Sequence, residues 1–80
     1  MQLLCQLDTP DFPGWKRDFD SEASERMEAG LTLLQIWRDA DSRSRVLMLF
    51  EVNDRKRAQG YVDAMRATDG PVEARFMRTA

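Results

Sequence analysis

The chain has no histidine and only one cysteine, Cys5. The first absence removes the commonest general base and the commonest metal ligand. The second excludes an internal disulfide and a cysteine-built zinc site. Neither a metal nor a cofactor is expected. Asparagine occurs once, at Asn53. Long apolar runs are also missing: nothing approaches the roughly 18–20 residues needed to span a bilayer. The opening MQLLCQLD reaches an aspartate with no basic residue before it, unlike a secretory signal. The expected location is cytoplasmic, with no membrane partner. Positive charge is not in excess either. Twelve Lys and Arg stand against 14 Asp and Glu, net −2, which argues against a nucleic-acid partner.

What remains is one small domain spanning residues 1–80. A chain of this length buries only about 60–65% of the surface its unfolded form exposes. Small domains without metals or disulfides often gain stability from a partner subunit, so a homodimer is expected.

The stretch Leu31–Val52, LTLLQIWRDADSRSRVLMLFEV, organises the rest. Two apolar runs flank a polar loop, Asp39–Ser44, rich in turn formers. This predicts a β-hairpin at the centre of a small sheet. Both parities of both strands are substantially apolar. Helices on one side would not require that, so a second covering layer is implied.

Before the hairpin, Leu3, Cys5 and Leu7 alternate with Gln2, Gln6 and Asp8, which predicts a strand over Met1–Asp8. Asp11 is a candidate N-cap, and Pro13 suits a first helical turn. Phe12, Trp15, Phe19, Ala23 and Met27 recur in steps of three and four. They predict one helix over Phe12–Ala29, closed by Gly30. After the hairpin, Asn53 or Asp54 caps a second helix. Its stripe is Ala58, Tyr61, Val62 and Met65, and it ends near Ala67. Val72–Arg78 alternates again as a last strand. The order βαββαβ predicts an α+β, ferredoxin-like fold: a four-stranded antiparallel sheet with two helices on one face.

Alternation assigns Leu3, Cys5, Leu7, Leu34, Ile36, Met48, Phe50, Val72, Ala74 and Phe76 to the helix-covered side. The other side then carries Gln6, Gln35, Trp37, Leu49, Glu51 and Arg75 as ligand-pocket candidates. Leu4, Leu33, Leu47 and Met77 are the dimer-face candidates. An apolar surface with a few polar groups suits a small-molecule pocket and equally a subunit interface. Glu51 and Arg75 could form a carboxylate–guanidinium pair that orients a ligand, or a structural ion pair. Trp15 belongs to the core stripe. Tyr61 packs its ring on the sheet. Cys5, facing the helices, is an inert buried thiol. Arg55-Lys56-Arg57 reads as a solvated helix face. No set of residues forms a catalytic constellation.

Three segments carry a family resemblance: Trp15–Phe19, Glu28–Leu31, and Val46–Asp54 leading into the second helix. Together they resemble the dimeric α/β-barrel superfamily, and within it small uncharacterised bacterial proteins near the antibiotic-biosynthesis-monooxygenase type. The resemblance implies that the bare sheet face packs on a second subunit's sheet. Monooxygenase-type relatives bind an aromatic polyketide and oxygen through a tryptophan and an asparagine, without a cofactor. Haem-degrading relatives use a histidine. Here histidine is absent and Asn53 falls at a helix cap, so neither pattern is matched. Longer relatives carry a longer segment between the second helix and the last strand; here only about seven residues separate Met65 from that strand, so the resemblance implies a reduced pocket wall.

Three functions stay open at this stage. The first is a homodimer binding an apolar or aromatic small molecule, between sheet and helices or in the barrel lumen. The second is a cofactor-independent monooxygenase or isomerase, with Trp37, Gln35, Glu51 and Arg75 as handles. The third is a structural or regulatory module without a ligand. The first strand–helix loop, Asp8–Phe12, has no glycine, which counts against an amino-acid-binding module.

Overall fold

A computed structural model describes residues 1–80 throughout. Strand β1 is Gln2–Asp8, followed by helices α1, Phe12–Ser21, and α2, Ala23–Glu28. Strands β2, Leu31–Arg38, and β3, Arg45–Val52, form the hairpin. Helix α3 is Arg55–Asp69, and strand β4 is Val72–Met77. The four strands form one sheet in the order β2-β3-β1-β4, with every neighbouring pair antiparallel. This α+β arrangement is compatible with the ferredoxin-like plan. Element ends differ from the sequence reading by one or two residues, within ordinary fraying.

The hairpin is not central as a whole. β3 and β1 are the inner strands, and β2 is an edge. The helices cover one side of the sheet. Leu3, Cys5, Met48 and Phe50 are fully buried there, against Trp15, Phe19, Ala58 and Val62. The aromatic side chains are in sequence: Trp15 stacks on Phe19 at 5.0 Å, Phe19 leans on Phe50 at 6.4 Å, and Tyr61 meets Phe50 edge-on at 6.4 Å. Such contacts add to the area term for burying large rings.

The caps follow the sequence. Asp11 Oδ1 accepts from the Gly14 N–H at 3.1 Å, and Asp54 Oδ1 accepts from the Arg57 N–H at 3.1 Å. Asp54, rather than Asn53, is therefore the cap of α3. Gly30, at φ 70°, makes the left-handed turn into β2.

Two local expectations are corrected. The single helix over Phe12–Ala29 is broken at Glu22, whose dihedrals are φ −98° and ψ 18°. Side chains compete for the backbone acceptors at the break. The Ser21 hydroxyl donates to the Asp18 carbonyl at 2.7 Å, and the Arg26 guanidinium donates to the Phe19 carbonyl. Met27 is also not a core residue; it is 78% exposed. Seven residues after Phe19 the helical phase returns to Arg26, which is only 6% exposed.

The second correction concerns β2. Its register with β3 shifts between Leu33 and Gln35, leaving Leu34 as an inserted residue. Before the bulge, Leu33 lies opposite Phe50; after it, Ile36 lies opposite Met48. Leu33 thus shares the helix-covered side, and simple alternation misplaces both it and Leu34. One extra residue reverses the parity of everything before it.

Candidate functional site

The side of the sheet turned away from the helices holds nearly all the candidate residues. Side chains opposite one another on adjacent antiparallel strands share a face, so the register reads as four rows. The first row is Thr32, Glu51, Gln2 and Met77. The second is Gln35, Leu49, Leu4 and Arg75. The third is Trp37, Leu47, Gln6 and Glu73. The fourth is Arg45 and Asp8.

The middle of this face is apolar. Leu4, Leu47 and Leu49 are half-buried on the two inner strands. Trp37 flanks them on the β2 edge with 44% exposure, and the bulge leaves Leu34 49% exposed nearby. Gln6 and Gln35 supply neutral amide groups beside the leucines. Gln35 Nε2 makes only a long contact, 3.4 Å, to the Ile36 carbonyl.

Charges surround this centre. Glu51 accepts from Gln2 Nε2 at 2.8 Å and lies 3.4 Å from the Met1 ammonium. The Gln2 hydrogen bond, chiefly, holds its carboxyl below the ordinary value. Arg75 is not its partner. β1 separates β3 from β4, and the two residues occupy different rows. The expected pair is therefore not made within the chain. Glu73 and Arg75 have no ion-pair partner in the chain. Arg45 sits 3.8 Å from Asp8 and 3.7 Å from Asp39.

Glu51 is held ionised, and Cys5 lies on the opposite side, where burial pushes its thiol up to about 11. No three His, Cys, Asp or Glu residues are grouped to hold a metal, and no helix is long and apolar enough to cross a membrane.

Family models, curated proteins and solved structures give no match to this chain. The four-stranded antiparallel sheet with helices is compatible with a ferredoxin-like fold, and no family match narrows it further.

A second concavity lies between α1–α2 and α3, about 420 Å³ in volume. Trp15, Phe19 and Tyr61 form its apolar part, and Asp18, Glu22, Glu25 and Asp69 its rim. Burial raises the Glu22 carboxyl, and the charges of Asp69 and Glu25 add to the rise. Asp69 is raised by burial and by Asp18, against a hydrogen bond from Trp15. Burial also raises Tyr61, opposed by Arg26. Sequence reasoning passed over this groove. A signal existed: Asp18, Glu22 and Glu25 are spaced to share one helical face.

Proposed function

We propose that the chain is a cytoplasmic homodimeric binding module whose bare sheet face takes an apolar or aromatic small molecule. One observation carries the reading. Leu4, Leu47, Leu49 and Trp37 form an apolar patch that no element of the chain covers. Patches of this kind mark interfaces or ligand surfaces. The space between helices and sheet is filled by Phe50, Leu3 and Met48 at zero exposure, which favours the outer face for a ligand. The neutral amides of Gln6 and Gln35 suit hydrogen bonding to an uncharged polar group on such a molecule.

The test combines sedimentation velocity with a titration by 1-naphthol, followed through Trp37 fluorescence in a Trp15→Phe background. The expected result is a dimer at micromolar concentration and a saturable change in emission. A monomer, or a linear unsaturable response, would refute the corresponding half of the proposal.

A further inference from the structure

The charges on the bare face specify how two copies meet, and this inference rests on the homodimer proposed above. Face-to-face sheets with aligned packing keep their strands within about 30° of one another. A closed dimer uses the same patch twice, about a two-fold axis. Two such axes can lie between the sheets with the leucines of both copies in register. One runs along the strands and the other across them.

With the axis along the strands, β2 lies over the partner's β4. Glu73 then faces the partner's Trp37, and Arg75 faces the partner's Gln35. Both charges would be covered without a counter-charge, which is the costly outcome in a desolvated interface. With the axis across the strands, each strand lies over its own copy. The second and third rows then exchange, and so do the first and fourth. Arg75 meets the partner's Glu73, Glu51 meets the partner's Arg45, and Leu49 meets the partner's Leu47. Gln2 stands over the partner's Asp8. Every one of these contacts occurs twice by symmetry.

We propose that the bare face binds a second copy of this chain about a two-fold axis running across the strands, held by reciprocal Arg75–Glu73 and Glu51–Arg45 contacts between subunits. Glu73 and Arg75 are the decisive pair, because both are exposed and neither has an ion-pair partner of its own. Complementary charges of this kind fix register and reject wrong partners. The axis also places Trp37 of each copy over the partner's Gln35, so two equivalent sites for a flat ligand arise along the β2 edges.

The experiment is a charge exchange on β4. Arg75→Glu alone is expected to weaken the dimer by about tenfold or more. Glu73→Arg with Arg75→Glu in the same chain restores the opposite charges and should recover the wild-type dissociation constant to within about threefold. Mixing tagged wild-type with the doubly exchanged protein gives the sharper readout. Like charges would face each other at both positions, so native mass spectrometry should find two homodimers and few mixed dimers. Statistical mixing, a quarter, a half and a quarter, overturns the orientation while leaving the dimer intact. Lack of rescue by the double exchange does the same. A wild-type chain that stays monomeric removes the homodimer itself, and this inference with it. Circular dichroism on each variant checks folding, and the mixing experiment does not depend on the single variant.

Discussion

The Arg26 guanidinium lies over the Phe19 ring, 3.7 Å from its centroid, and donates a hydrogen bond to the carbonyl of the same residue. A charge in the core is tolerated because its π-face contact and its donor are satisfied together. The arrangement also secures α2, a helix of only six residues, to the end of α1. Arg26→Ala should destabilise the protein by about 2–3 kcal/mol, measured by urea unfolding. Arg26→Lys should recover only a small part, since an ammonium cannot stack and donate in one plane. Full recovery by lysine would refute the planar contact.

Stability should rise on mild acidification. Glu22 and Asp69 have folded pKa values above their ordinary 4.5 and 3.8. For a raised carboxyl the folded state binds the proton more tightly, so stability grows as pH falls through the folded value. The gain is complete once pH is below the unfolded value. Glu51 acts in the opposite sense. Its pKa is lowered from 4.5, so its contribution is present above that value and is lost below it. Melting temperature should therefore climb as pH falls from neutrality into the ordinary carboxylate range, and the Glu51 contribution is lost only on further acidification below 4.5. Glu22→Gln should raise the melting temperature at pH 7 and flatten the climb. A curve unchanged by that substitution would show that the groove carboxylates do not couple to folding.

Cys5 should be silent in the native protein. It has zero exposure, and its thiol is pushed up to about 11. Little thiolate forms near neutrality, and the sulfur is covered by helices. A chromogenic disulfide reagent should label it only in denaturant, at one equivalent per chain. Rapid labelling of folded protein would contradict the packing of β1 against α3.

Two aromatic truncations should separate the two sides of the sheet. Phe50→Ala removes a fully buried ring that touches Phe19 and Tyr61 and should cost about 3–5 kcal/mol of folding stability. Trp37→Ala, at 44% exposure, should leave the unfolding of the isolated subunit nearly unchanged. In the proposed dimer its effect should instead fall on association, by about 1 kcal/mol or more for an interface aromatic. Chemical unfolding and sedimentation equilibrium on the same samples read the two quantities.

Much of this architecture was legible in the sequence because two periods carry it. Leu3, Cys5 and Leu7 alternate, and Ala58, Val62 and Met65 recur at helical spacing. These are local signals, and the elements they define pack on one another as the order βαββαβ requires. The misreadings come from interactions that periodicity does not encode. Ser21 and Arg26 capture carbonyls and break a helix whose apolar spacing is continuous. Leu34 is an insertion in a strand whose residues all look strand-like. Arg26 joins the core through a π-face and a carbonyl, so an apolar stripe overlooks it. Glu51 and Arg75 share a face, but the strand order sets β1 between them. The bare face itself was visible as two-sided apolarity in Leu31–Val52. The acidic groove was only half visible: Asp18, Glu22 and Glu25 are spaced to share one helical face, but Asp69 reaches the groove from a different helix.

The bulge at Leu34 has a consequence for what the sheet cannot do. β2 is a long edge strand with exposed leucines, the sort of strand that recruits further strands side by side. An added strand would need a regular ladder of N–H and C=O groups, and the bulge in the β2–β3 pairing bends β2 midway along its length. Growth sideways is checked at the residue that also turns an extra leucine outward. The same insertion that spoils the alternation of β2 makes that edge a poorer template for a further strand.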